Sequence, residues 1–153
     1  SQYPEPIETL LIPVGNGALI NGIGTWFKAY SPQTRVIGVV AEGAPAMEES
    51  WRQNRIITTE TVNTIADGIG VRIPVPQASE LMQTTVDEVL QVTDKATLGA
   101  MRQIHRMAGV VVEPAGAVGL AAAMVYGERF AGQLVATPLC GSNLTIAQME
   151  QWL

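Results

Sequence analysis

The sequence predicts an α/β domain: a three-layer, open, twisted and mostly parallel sheet with helices on both faces. Three observations predict it. Short apolar segments alternate with amphipathic ones along the chain. The strand-like segments are apolar throughout rather than alternating, as strands covered on both faces are. Hydrophobic residues make up 47% of the chain but aromatics only 5%, so the core is aliphatic. A length of 153 residues fits a single domain spanning 1–153.

The elements follow in order. Residues 8–14 read as a buried strand closed by Gly15, and 18–30 as a helix ended by Ser31-Pro32. Residues 35–41 form a second strand rich in β-branched side chains, and 45–53 a helix. Residues 58–76 lack periodicity and carry Gly68, Gly70, Pro74 and Pro76, which predicts a long loop. A short helix over 78–84 and a strand over 87–92 come next. Thr93-Asp94 offers an N-cap for a helix over 95–107. After the short apolar piece 110–112, an Ala-rich helix spans 116–126, a buried strand 133–139 and a closing helix 145–153. Met47, Met82, Met101, Met107 and Met124 are expected to fill the core or its margin from helical positions.

Charge and cysteine content narrow the function classes. A net charge of −5 without clusters of Lys or Arg argues against a nucleic-acid surface. A single cysteine allows no internal disulfide, and no apolar run is long enough to span a membrane. The segment Ser1–Pro6 is polar and has no leader-like apolar region. Together these predict a cytoplasmic protein.

Four motifs carry candidate chemistry. Gly15-Asn16-Gly17 lies between a strand and a helix, where free amide N–H groups meet the positive end of a helix dipole. On pattern alone it is a phosphate cradle, a worn dinucleotide fingerprint with Glu42 as the ribose acid, or a plain tight turn. Thr64-Ile65-Ala66-Asp67-Gly68 reads as an Asp-Gly turn. Glu113 in Val112-Glu113-Pro114-Ala115-Gly116-Ala117 is a lone acid at a helix start, for which a structural role is favoured. Cys140 opens Cys140-Gly141-Ser142-Asn143 at a strand end, where a lone thiol is more often inert than nucleophilic. His105 lies beside Arg102 and Arg106 and reads as a surface residue. Ligands of open α/β sheets sit beyond the carboxyl ends of the strands, so the turns at Gly15 and Cys140 are expected to border one pocket.

In order and wording these four motifs resemble the carboxyl-terminal half of the pyridoxal-phosphate enzymes of the tryptophan synthase β type, also called fold type II. The resemblance is to the threonine and serine dehydratases with serine racemase, and it covers essentially the whole chain. It implies the carboxyl-terminal part of a cofactor-binding large domain, with pyridoxal phosphate as cofactor. The cofactor phosphate would rest on the backbone of Gly15, Asn16, Gly17, Ala18 and Leu19. The family loop carries four glycines; Asn16 and Ala18 replace the second and fourth. Asn16 suits a left-handed backbone, and Ala18 requires a negative φ. Cys140 would face the pyridine nitrogen as a neutral partner, which suits β-elimination, and Glu113 would lie near the ring.

In racemase-like members a divalent cation is held by two acids and a backbone carbonyl, and Glu42, Ala46 and Glu48 match that spacing. Oxygen ligands of this kind suit Mg²⁺ or Ca²⁺. Asp67 would support that site through water; the plainer reading makes Glu48 and Glu49 exposed helix acids. Whole members of the family act on small hydroxy amino acids, removing the α-proton and releasing ammonia. The lysine that bonds the cofactor aldehyde belongs to the amino-terminal half. Lys28 ends the first helix and Lys95 opens another, so no catalytic residue is assigned here. The expected reading is a partial ammonia-lyase or racemase, inactive alone, that joins an amino-terminal half or forms a homo-oligomer. The alternative is a free-standing, self-associating, non-catalytic domain; a nucleotide-binding Rossmann domain ranks below both.

Overall fold

A computed structural model describes residues 5–153; most of the polar segment Ser1–Pro6 lies outside them. Four strands form one sheet: β1 (Thr9–Pro13), β2 (Arg35–Ala41), β3 (Glu88–Val92) and β4 (Val135–Ala136). Their order is β3-β2-β1-β4 and every pair is parallel. Leu11 pairs with Ile37, Val39 with Leu90, and Thr9 with Val135.

Because side chains alternate along a strand, β1 feeds two cores. Leu11 points into the layer with Ile37, Val39, Leu90, Met101, Ile104 and Val118. Leu10 and Ile12 point into the other, with Ile20, Val36, Val40, Met47 and Met82. The helices α1 (Ala18–Tyr30), α2 (Ala46–Gln53) and α3 (Pro76–Thr85) cover the second face. The first face carries α4 (Asp94–Ala108) and α5 (Pro114–Val125), with α6 (Ile146–Trp152) against α4. Each fully buried aliphatic side chain contributes about 1.5–3 kcal/mol, so both faces matter to stability.

Local signals place the elements. Thr93 caps α4 by accepting the Ala96 N–H at 3.1 Å, as its position predicts. Pro114 and Pro76 occupy first turns, where a missing N–H costs nothing. They carry α5 and α3 two residues further back than the sequence pattern indicates. Gly119 lets α5 lie on the sheet: a Cβ there would stand 2.9 Å from the Leu11 carbonyl and run into Thr137 Oγ1.

Three expectations are corrected. The buried strand over 133–139 reduces to the two half-buried residues of β4. Its other flank is unpaired among the described residues, and Pro138 has no N–H to extend a ladder. Met107 and Met124 are 77% and 52% exposed, so only Met47, Met82 and Met101 fill the core. The long loop over 58–76 contains a 3₁₀ turn, Asp67–Ile69. Among the described residues no helix is long and apolar enough to cross a membrane.

Candidate functional site

The chain leaves β1 at Pro13, and Val14 N–H still donates to the Val39 carbonyl at 2.9 Å. Gly15, Asn16 and Gly17 then turn it into α1. Gly17 has φ 84, a left-handed conformation that favours glycine. Asn16 and Ala18 both have negative φ, so Ala18 meets its requirement. The reason expected for Asn16 is corrected: its side chain accepts the Val75 N–H at 3.3 Å, pinning the turn to the start of α3.

The amino terminus of α1 is uncapped. No side chain accepts its first N–H groups, and its first turn holds no acid. Among the described residues, the amides of Gly15 through Leu19 donate to no protein acceptor. They line a cleft of about 270 Å³. The far walls come from Gly68 and Ile69, from Glu113 and Ala115 at the start of α5, and from Cys140 and Gly141. All four sequence motifs meet in this one cleft; the two strand-end turns border it as expected, and the Gly68 and Glu113 walls join them. Glu113 is its one charged lining residue. An anion here would be held by backbone dipoles, with no Lys or Arg in contact.

The Cys140 turn is fixed against α5. Glu113 N–H donates to the Gly141 carbonyl at 3.0 Å, and Glu113 Oε2 accepts the Asn143 N–H at 3.0 Å. Gly141 has φ 78, and a Cβ there would strike the Glu113 carboxylate. Burial pushes the Cys140 thiol above the ordinary range, and the Glu113 charge adds to the effect. The thiol is therefore protonated at neutral pH. Alkylation of Cys140 by iodoacetamide should rise with pH around a midpoint above the roughly 8.5 of a free thiol. Glu113→Gln should lower that midpoint, because it removes a charge that opposes the thiolate.

The residues proposed for a cation are placed differently. Glu48 is 8% exposed, which corrects its reading as an exposed acid; Glu49 is half-buried. Glu48 Oε1 meets Arg52 Nε at 3.0 Å and its Oε2 accepts from Gln91 Nε2 at 3.2 Å. The Ala46 carbonyl accepts from Ser50 Oγ at 2.6 Å. Glu42 lines two neighbouring clefts, one with Gln91 and Tyr126, the other with Asn63 and Asp94. Glu48 lines neither. Among the described residues no three acidic, His or Cys side chains cluster as metal ligands. Asp67 is exposed and accepts the Gly68 N–H at 2.9 Å.

Neither lysine lines the cleft. Lys28 Nζ donates to both Asp87 oxygens, at 2.7 and 2.6 Å, at the opposite end of the sheet, where Asp87 leads into β3. Lys95 lines the cleft of Glu42 and Asn63. His105 is exposed, as expected. Two residues with structural roles at the site escape the sequence reading. Ile69 extends the Thr64–Gly68 motif by one residue into the cleft wall. Asp94, read as part of a cap, bonds that motif from thirty residues away.

A parallel sheet with an uncapped helix start beyond a strand's carboxyl end places this chain among α/β domains whose strand-end clefts suit anionic ligands. A family model described as pyridoxal-phosphate dependent enzyme matches residues 1–141, and the chain belongs to that family. It is 32% identical over 145 residues to a biosynthetic L-threonine dehydratase of Halalkalibacterium halodurans, covering 95% of this chain and 35% of that protein. An L-threonine ammonia-lyase of Thermotoga maritima is 35% identical over 145 residues, covering 95% and 36% respectively. Among solved structures, maize serine racemase superposes with a TM-score of 0.88 at 31% identity, over 98% of this chain and 46% of that one. The chain thus spans about a third of the length of the curated relatives it matches.

Members of this family use pyridoxal phosphate, and the residues present fit the phosphate end of that group. The positive-φ Gly17, the unpaired amides and the open cleft in front of them form an anion cradle with no side chain occupying it.

Proposed function

We propose that this chain is the phosphate-holding part of a pyridoxal-phosphate ammonia-lyase acting on threonine, serine or a similar small hydroxy amino acid. The observation that carries the reading is the uncapped start of α1 sharing one cleft with Glu113 and Cys140. Both the dehydratase and the racemase relatives support the substrate class. The backbone N–H groups of Gly15, Asn16, Gly17, Ala18 and Leu19 would hold the phosphate. Cys140, a thiol that is neutral at pH 7, would offer the ring nitrogen a neutral partner, and Glu113 would sit beside the ring and fix the Cys140 turn. When bound, the cofactor supplies the electron sink that acidifies the substrate α-carbon.

No lysine of this chain reaches the cleft, so the chain alone is proposed to bind without catalysing. The bonding lysine and the carboxylate-gripping loop would come from residues outside the chain. Glu42, Ala46 and Glu48 remain a proposal for Mg²⁺ or Ca²⁺, which requires Glu48 to exchange Arg52 for the ion.

Titrating the chain with pyridoxal phosphate, followed by absorbance and by borohydride trapping, tests this reading. Saturable binding without a trapped lysine is expected, and mixing with the amino-terminal portion of a threonine dehydratase should yield ammonia release. A stable adduct on Lys28 or Lys95, or no binding at all, would overturn the reading.

A further inference from the structure

The cleft wall formed by Gly68 and Ile69 has no strand or long helix of its own. It lies within a loop of irregular backbone, yet its neighbours leave it little room. The Gly15 Cβ position is 3.4 Å from the Gly68 carbonyl oxygen and 3.5 Å from Ile69 Cα, so the wall touches the phosphate turn. A Cβ on Gly68 would stand 3.0 Å from Ala115 and 3.3 Å from Glu113 Oε1. A small shift of this turn therefore alters both sides of the cleft.

The turn's own bonds are local. Ile69 N–H donates to the Ala66 carbonyl at 3.1 Å, and Gly70 N–H to the Asp67 carbonyl at 3.0 Å. Local bonds fix its shape but not its place. Its side-chain anchor to the helical frame is Asp94, the first residue of α4. Asp94 Oδ1 accepts from Thr64 Oγ1 at 2.5 Å, and Asp94 Oδ2 accepts the Ile65 N–H at 3.1 Å. Thr64 Oγ1 in turn accepts the Ala66 N–H at 3.1 Å. One carboxylate thus grips hydroxyl and amide together, and the hydroxyl passes the constraint to the buried Ala66. Bonds to a charged acceptor are the strong kind, and a fork of two fixes direction as well as distance.

We infer that Asp94, acting through Thr64, is a positioning residue that sets the Gly68–Ile69 wall and thereby the cleft's affinity for pyridoxal phosphate. The affinity half of this inference rests on the proposed function above; the wall half does not. Asp94 touches neither the cleft nor a ligand in it. Its effect is to hold the wall in its binding position before a ligand arrives, so that binding need not order the turn.

The test compares wild type with Asp94→Asn, Thr64→Val and Thr64→Ser in the 153-residue chain. Amide hydrogen exchange reads the wall, pyridoxal phosphate titration reads the affinity, and thermal melting controls for folding. In Thr64→Val the amides of Ala66, Ile69 and Gly70 should exchange at least tenfold faster, while those of β1 and β2 stay unchanged. Affinity should fall about tenfold. Asp94→Asn should act in the same direction, and Thr64→Ser, which keeps the hydroxyl, should restore both readouts. The inference is overturned if both disruptive variants lower the melting temperature while local exchange and affinity stay within twofold of wild type. It is also overturned if Thr64→Ser behaves like Thr64→Val. A wild type that fails to bind pyridoxal phosphate overturns the proposed function instead, and the exchange pattern then decides the positioning role by itself.

Discussion

Replacing Gly116 with alanine should lower the melting temperature by about 10 °C and displace the Cys140 turn from the cleft. Gly116 lies in the first turn of α5, and a Cβ there would run into the Cys140 carbonyl, with the Cys140 backbone nitrogen only 3.1 Å away. The obstacle is main chain, so no rotamer change relieves it. Either α5 backs off the sheet or the 140–141 turn moves outward. Overpacking of this kind costs about 3 kcal/mol, which for a chain of this size corresponds to several degrees and up to about ten. Scanning calorimetry reads the loss. Moving the turn also takes the exposed Cys140 thiol away from the Glu113 carboxylate that opposes its ionisation, so Cys140 should alkylate faster in this variant at a fixed pH. Gly99→Ala is the control: it adds the same methyl to a helix with nothing within 4 Å, and should leave stability unchanged or raised.

Gly17→Ala should weaken pyridoxal phosphate binding by at least tenfold while the chain still folds. The backbone at Gly17 is left-handed, and an alanine there costs roughly 1–2 kcal/mol. The added methyl also sits 3.2 Å from Asn21 Nδ2 and 3.3 Å from the Ala78 methyl, which is tight on both sides. Relief of the strain rotates the peptide planes on either side of residue 17. Those planes carry the amides that face the cleft, so the anion loses aligned donors. Gly22→Ala, five residues on and in open space, should leave affinity unchanged and stabilise α1 by up to about 1 kcal/mol. Isothermal titration of the two variants separates loss of the cradle from general damage to the helix.

Legibility in the sequence follows the range of the determining interactions. α1 and β2 fall on their expected residues because their limits are set locally, by an apolar run, a glycine turn and Ser31-Pro32. The capping threonine of α4 is equally local. The sequence overextends β4 because the apolar run 133–139 says nothing of its neighbours, and only two of its residues meet β1. Glu48 is misread for the same reason: whether a helix acid is exposed depends on Arg52 one turn on and on Gln91 from another element. At the cleft, the motif residues are legible as residue types, and the meeting of the Gly15 and Cys140 turns follows from the strand-end rule, whereas the Gly68 wall comes from a loop no local pattern places. The bond from Asp94 to Thr64 spans thirty residues and matches no pattern, so only the fold reveals it.

The position of β1 between β2 and β4 makes the domain depend on non-local pairing. Pairing Thr9 with Val135 closes a loop of more than a hundred residues, and such non-local contacts form slowly. The cleft borrows a wall from each of four distant stretches, the last of them just beyond β4. Its completion therefore needs contacts between stretches far apart in the chain. A molecule that occupies the cleft binds the finished fold alone, and by mass action it would draw the last docking step to completion.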